Sequence, residues 1–327
     1  MSSRIGIMSV LLAAQVLLVA GLMTRDALSG TSTAPDFVSF DPVIVDGLSV
    51  VAGEDSVRLT RDGEAWRLDD AYPADNARIG EVLEKLAGLS APWPVATSAD
   101  TAVRFEVADD NFQRRLTLSS DDEVLADILL GTSPGYRRVH ARRSGTDEVY
   151  SVNLSNHELP ADAGQWLDKG LLASTGDVTK LSREGEWTLA AAEGGWLIDT
   201  DSADDEAADK LVGRFEDLRV LDIAAPEGEW EAKSVFTVTD DRGDYRVAVF
   251  HDAQEDDYSF ESERLEGRFT VATYVAEQMI VDRDTLLGTV NEGESADDTK
   301  GSNAGEEGID ADLLLDLADD LLVPDAS

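Results

Sequence analysis

The sequence predicts an α+β protein of two tandem repeated units, each an antiparallel sheet packed with a helix, preceded by one N-terminal transmembrane helix. Three observations support this prediction: an apolar run at the N-terminus, a strand–turn–strand–helix pattern that occurs twice, and period-two alternation after each copy. We expect a signal anchor at residues 1–30, repeat units at 38–175 and 176–289, and an acidic tail at 290–327.

The first element is the uncharged apolar run from Ile5 to Met23. At a rise of ~1.5 Å per residue it spans roughly 28 Å, about one bilayer core. Arg4 precedes it, which favours a cytoplasmic N-terminus and an extracytoplasmic or periplasmic body on the inner membrane. A cleaved secretory signal and a buried core helix are the alternatives.

Composition limits the possible partners. The chain of 327 residues has 67 acidic and 27 basic side chains, a net charge of −40 and no cysteine. Disulfides and thiolate sites are therefore excluded, and nucleic-acid binding is disfavoured because it needs a basic face. We interpret the charge as adaptation to a saline exterior, with a cation-binding or basic-partner surface as the alternative.

The repeat is visible in two segments, residues 57–89 and 180–218. Each has a short strand, a glycine-bearing turn, and a second strand that contains Trp66 or Trp196. An amphipathic helix follows, with its apolar face formed by Ile79, Val82, Leu83, Leu86 and Leu89 in the first copy and by Leu211, Val212, Phe215 and Leu218 in the second. Candidate N-caps are Asp75 and, in the second copy, Asp204 or Asp205.

Alternating segments follow each helix and predict antiparallel hairpins with one polar face. The predicted strands are 114–119, 124–130, 136–143 and 149–152 in the first unit and 234–239, 245–250, 258–263 and 268–272 in the second. A short helical stretch should close each unit, at about 160–172 and 274–287.

The C-terminal tail combines a polar linker, residues 291–309, with an amphipathic segment, residues 310–323. The linker composition predicts disorder. A helix as short as the second segment is marginal alone, so it should dock on the body, bind a partner or remain disordered. Its candidate contact residues are Leu313, Leu317 and Leu321.

No pattern indicates catalysis, a metal or a cofactor. The run Gly131–Gly135 matches the letters of a nucleophile elbow, but Pro134 lacks the N–H that the oxyanion needs and a strand follows. The three histidines are far apart, and no phosphate-binding loop with GK[ST] occurs. We therefore expect a non-enzymatic protein.

One segment concentrates positive charge, with Arg137, Arg138, Arg142 and Arg143 inside a predicted strand. Alternation places Arg137 and Arg143 on one face and Arg138 and Arg142 on the other. These arginines either pair with nearby carboxylates of the chain or contact an anionic partner or headgroup.

The sequence resembles the domain of unknown function 4340 family. The resemblance lies in Trp66–Leu68, Tyr72–Asp75 and the helix to Leu89, then in Gly131–Val139, Glu148–Val152 and Gln165–Leu172. It implies a bacterial single-pass membrane protein, similar to gliding-motility auxiliaries of ABC-type transport systems. The resemblance carries no catalytic residues. The function to expect is an extracytoplasmic accessory protein whose partners are an ABC-type permease or ATPase or other envelope proteins; the alternative is a binding module for an envelope polymer or solute.

Overall fold

The computed structural model describes residues 35–121, 123–225 and 228–289. Within these ranges the chain forms an eight-stranded sheet, a nine-stranded sheet and a separate two-stranded hairpin, with all ladders antiparallel, and five α-helices. The α+β class is therefore confirmed.

The first sheet and the hairpin are built from the strands β1 Gly47–Ala52, β2 Asp55–Asp62, β3 Ala65–Leu68, β4 Tyr72–Pro73, β5 Val107–Ala108, β6 Asn111–Phe112, β7 Arg114–Ser120, β8 Glu123–Leu130, β9 Val139–Arg143 and β10 Val149–Val152. The order across the sheet is β4-β3-β2-β1-β7-β8-β9-β10, and β5 pairs with β6 outside it.

The second sheet contains β11 Lys180–Arg183, β12 Trp187–Ala192, β13 Gly195–Ile198, β14 Asp201–Ser202, β15 Val220–Ile223, β16 Trp230–Asp240, β17 Gly243–Asp252, β18 Asp257–Ser262 and β19 Leu265–Val271. Its order is β14-β13-β12-β11-β16-β17-β18-β19-β15. The first eight positions repeat the order of the first sheet, and β15 extends the far edge.

The helices are α1 Asn76–Ala87, α2 Ala99–Arg104, α3 Asp205–Glu216, α4 Thr273–Met279 and α5 Arg283–Leu286. Short 3-10 turns lie at Pro42–Ile44, Asn156–Glu158 and Ala163–Trp166. The helices α1 and α3 occupy the same place in the two units, directly after the fourth strand of each sheet.

The two long helices begin at the predicted caps. The side chain of Asp75 accepts from the backbone N–H of Arg78 at 3.0 Å, and Asp204 accepts from Ala207 at 2.9 Å. Each bond satisfies a free N–H of the first turn. The apolar faces then pack into the core, where Leu86 of α1 and Phe215 of α3 are almost fully buried.

Equivalent hydrogen bonds, each from a tryptophan backbone N–H to a side chain of the helix, connect each long helix to its sheet. The N–H of Trp66 donates to the Asn76 side chain at 2.7 Å, and the N–H of Trp196 donates to Asp205 at 2.9 Å. Asn76 and Asp205 are the first residues of α1 and α3. Trp66 is buried, whereas Trp196 is half-buried, so the equivalent positions differ in packing.

The segment from α2 to β6 covers the outer face of the first sheet. Its residues Ala102 and Val107 form a small apolar cluster with Leu129 of β8 and Val149 of β10. Gly131 permits this contact, because a Cβ there would lie 1.9 Å from the carbonyl oxygen of Phe105. The prediction of a polar outer face is therefore wrong for β8 to β10, since the alternation in β8 does not reveal what the preceding loop covers.

The two units share one apolar core. Tyr72 of β4 packs edge-on against Phe269 of β19, with ring centroids 5.2 Å apart. The backbone N–H of Val220 donates to the carbonyl of Lys169 at 2.9 Å across the same junction. The core cluster runs without a break from the first unit into the second. The division at residues 175 and 176 stays a prediction.

Two local expectations are wrong. The strand predicted from Tyr136 begins at Val139, because Arg137 adopts a left-handed conformation with φ of 53°. Only a 3-10 turn forms within the helical stretch predicted at 160–172, where Gly164 lies against Asp222 too closely for a Cβ. The transmembrane prediction for residues 5–23 lies outside the described residues, and none of the helices within them is long and apolar enough to cross a membrane.

Candidate functional site

A groove of about 560 Å³ lies on the second unit, between the C-terminal half of α3, the strand β15 and the start of α4. One wall comes from the junction with the first unit. The lining residues are Lys169, Lys210, Gly213, Arg214, Asp217, Arg219, Val220, Leu221, Ala272, Tyr274 and Val275.

The groove is basic on a strongly acidic chain. Among the described residues that line it, four are cationic and one, Asp217, is acidic; the cations are Lys169, Lys210, Arg214 and Arg219. Lys210 also pairs with Glu206 one turn earlier at 3.0 Å, and Arg214 donates to Gln278 of α4. Arg219 is exposed. The lining of the groove is thus more basic than the rest of the chain, although Glu206, Asp162 and Asp222 lie close to its lysines.

Lys169 lines the groove where the two units meet. Its ammonium group donates to the carbonyl oxygen of Gly164 at 2.7 Å and also to that of Leu221. Burial lowers the pKa of Lys169, and the carboxylates of Asp222 and Asp162 oppose this effect. An anion bound in the groove would also favour the charged form of the lysine.

Apolar side chains are exposed beside these cations. Leu221 is 56% exposed and Tyr274 is 63% exposed, while Val275 is half-buried. Exposed apolar groups rimmed by charge are typical of binding surfaces. The arrangement suits a ligand that is both acidic and apolar, and it contains no base paired with a nucleophile.

Metal chemistry has no candidate centre in the parts of the chain that the structure describes. No group of three or more His, Cys, Asp or Glu side chains in residues 35–121, 123–225 and 228–289 could hold an ion. His140 is buried, where it stacks on Phe105 at 3.9 Å and lies 2.9 Å from the Thr132 hydroxyl. Burial lowers the pKa of His140, which fits a structural role.

Two of the predicted contact arginines are engaged within the chain. Arg142 is 5% exposed; its guanidinium donates to the carbonyl of Val107 at 2.6 Å and pairs with Asp109 at 2.8 Å. Arg143 donates to the carbonyl of Phe37 at 3.2 Å and lies over the rings of Phe37 and Tyr150. Arg142 thus pairs with a carboxylate of the chain, whereas Arg143 contacts a carbonyl oxygen and two aromatic rings; contact of either with a partner stays a prediction.

The other two arginines lie at an exposed hairpin tip. Arg137 stacks over Tyr136, which is 86% exposed, and Arg138 donates to the Ser151 hydroxyl at 2.8 Å. Ser133 in this tip donates to the carbonyls of Gly135 and Arg138, so the elbow-like letters form a turn. The structure therefore separates the four arginines into an inner pair, buried Arg142 and half-buried Arg143, and an exposed pair, Arg137 and Arg138.

The tail residues predicted to contact a partner, Leu313, Leu317 and Leu321, lie outside the described residues. The sequence-based predictions do not include this groove. Its cations are spread from Lys169 to Arg219, and nothing in their spacing indicates that they meet. One weak signal was present, because two of only six lysines in the chain line this groove.

The comparisons with known proteins concern the family. Neither a curated protein nor a solved structure matches the chain. A family model described as "Domain of unknown function (DUF4340)" matches residues 66–235, which is more than half of the sequence and runs from β3 into β16. The chain therefore belongs to the domain of unknown function 4340 family.

Proposed function

We propose that this protein is a membrane-anchored, extracytoplasmic and non-enzymatic accessory protein of an envelope or ABC-type transport complex. The apolar run at residues 5–23 supports the attachment, and Arg4 before it supports a cytoplasmic N-terminus. The net charge of −40 supports exposure of the body to a saline exterior.

The basic groove is the observation that carries the proposal. Its cations and its exposed Leu221 and Tyr274 suit an acidic, partly apolar segment of a partner protein. Charge complementarity sets specificity and association rate, and an aromatic side chain in such a groove is a typical energetic centre. We infer that a permease, an ATPase-associated subunit or another envelope protein docks here.

The second candidate is a binding module for an envelope polymer or solute. The same groove favours it, since lysine and arginine bind anionic groups and the exposed face of Tyr274 suits a sugar ring. The two candidates differ in what the groove retains from native membranes, a transport subunit or an anionic glycan.

Two matched charge reversals test the site in the full chain. The groove variant carries Lys210→Glu and Arg219→Glu, and the control carries Arg137→Glu and Arg138→Glu at the exposed hairpin tip. Both change the net charge equally, so non-specific repulsion is the same. After cross-linking in native membranes and mass spectrometry, we expect the groove variant to lose a transport or envelope subunit that the control retains.

Loss of the subunit by the control variant, with retention by the groove variant, would show that the partner binds at the hairpin tip instead. Equal recovery of the transport subunit by both variants would contradict the groove proposal. Retention of an anionic glycan without any protein would favour the second candidate. Thermal melting of both variants checks that the fold is intact, because exposed substitutions usually change stability by only about 0.5 kcal/mol.

A further inference from the structure

The described part of the chain ends close to one end of α3. Gly288 lies against Asp204, the N-cap of α3, and a Cβ on this glycine would be 3.0 Å from the Asp204 carboxylate. The groove begins midway along the same helix, at Lys210. Twelve helical residues span about 18 Å, so the chain leaves the body within one helix length of the groove.

The segment beyond this point is long enough to return. Residues 290–309 separate the end of the body from the leucine-rich segment 310–323. Twenty residues of polar chain have an r.m.s. span of about 25 Å, which exceeds the distance along α3. Attachment this short gives the segment a local concentration on the order of millimolar at the groove.

The segment also has the chemistry that the groove requires. Its sequence, DADLLLDLADDLLV, has five aspartates, six leucines and no basic residue. The leucines Leu313, Leu317 and Leu321 fall on one face at helical spacing, which suits an apolar strip between charged residues. The groove presents the complementary set, cations around Leu221 and Tyr274.

We propose that the C-terminal segment 310–323 of this chain occupies the basic groove and thereby blocks it until a partner displaces it. The inference rests on the proposed function for the groove, and it adds the regulation of that site. The acidic and apolar character of the tail makes it a mimic of the partner segment, so the two compete for the same cations.

Distance measurements in the full chain test the proposal. The sequence contains no cysteine, so two introduced cysteines can be spin-labelled specifically. One label goes at Ala318→Cys, outside the stripe of Leu313, Leu317 and Leu321, and the other at Glu277→Cys, an exposed residue of α4 that does not line the groove. The control pairs Ala318→Cys with Gly80→Cys, an open glycine on the helix α1 of the first unit.

We expect a narrow short-distance peak for the Glu277 pair and a broad, longer distribution for the Gly80 pair. Adding Lys210→Glu and Arg219→Glu should lower the ratio of docked to free tail about tenfold, since each exposed charge contact contributes modestly. Adding Leu317→Glu and Leu321→Glu to an unlabelled chain should increase recovery of the partner, because the competing segment is removed.

Equally broad distributions for both label pairs would overturn the inference. A short distance that arises only when singly labelled chains are mixed would also overturn it, since the tail then binds a second copy. The proposed function has its own test, the cross-linking experiment with the groove variant. If that variant loses the transport subunit while the tail shows no short distance, the groove binds a partner and the tail does not regulate it.

Discussion

The two units use the same strand order but differ in how the chain travels from the long helix to the next hairpin. In the first unit this connection contains α2 and the β5–β6 hairpin, which pack on the outer face of β8 to β10. In the second unit α3 is followed almost directly by β15, which pairs with the edge strand β19. The same strand order thus occurs with a covered outer face in the first sheet and with an additional edge strand in the second.

The difference shows where function can develop on a repeated fold. The longer connection buries Arg142 against Val107 and Asp109, so the charge of this arginine is engaged within the chain. The short connection leaves the end of α3 open and places Arg219 and Leu221 beside α4, so charge in the second unit stays accessible. The connecting segments, rather than the shared strand order, thus decide where this basic groove forms.

The largest effect should come from charges placed in the common core. Leu86→Asp in α1 and Phe215→Asp in α3 should each cost more than about 4 kcal/mol, because a carboxylate in an apolar site lacks a partner. Since the core is continuous across the units, we expect each variant to remove both units in one transition, measured by circular dichroism and calorimetry.

The control is Glu84→Asp on the exposed side of α1, which should leave the melting curve unchanged within error. Loss of one unit with retention of the other would show that the units unfold independently, and the shared core would then contribute little to cooperativity.

The next effect distinguishes the ion pairs of the two units. In the second unit Arg264 donates to the fully buried carboxylate of Asp240 at 2.7 Å and lies over the ring of Tyr245. Arg264→Met should cost about 3–5 kcal/mol, because Asp240 remains buried without its counterion. Arg115→Met, which removes a more exposed pair with Asp127 in the first unit, should cost at most about 1 kcal/mol.

The Arg264–Asp240 pair also predicts how the stability of the folded state changes at acidic pH. The hydrogen bond from Arg264 holds the pKa of Asp240 well below its usual range. The ionised carboxylate therefore stabilises the folded state above the unfolded pKa of about 3.9, and this stabilisation is lost as the pH falls towards the folded pKa. In urea titrations below pH 4, wild type should lose stability more steeply than Arg264→Met; parallel slopes would contradict this assignment.

A smaller, local effect should separate the covered face from the rest of the first unit. Gly131→Ala places a methyl group 1.9 Å from the Phe105 carbonyl oxygen and should cost about 1–3 kcal/mol by forcing the α2–β6 segment away. Gly135→Ala, in the same turn, meets open space. Hydrogen exchange should increase in residues 99–112 for the first variant alone; unchanged protection there would mean that the close approach is not required.

The smallest effect concerns salt and should be common to both units. A body with excess negative charge repels itself when screening is weak, and the Debye length falls from about 30 Å at 0.01 M to about 3 Å at 1 M. We expect the melting temperature to rise over this range for wild type and for the Arg264→Met variant. A flat or falling melting temperature would argue against the saline interpretation of the composition.

Much of the fold was predictable because it depends on local patterns. Helical spacing of apolar residues located α1 and α3, and aspartates at the expected positions cap both. Period-two alternation located most strands of the hairpins, including β10 with its observed bounds. The same reasoning placed the start of β9 too early, because Arg137 is left-handed and, unlike Pro134 and Gly135 before it, is not a residue type that signals a turn.

The sequence by itself determined the α+β class, the caps of the two long helices, most of the hairpin strands and the family, because these follow from short-range periodicity and residue chemistry. Only the tertiary structure decided that the segment 99–112 covers one sheet, that Arg142 is buried, and that Lys169 meets Arg219 in one groove. Contacts of this kind join residues far apart in the chain, and they depend on the path of loops whose sequences carry no periodic signal.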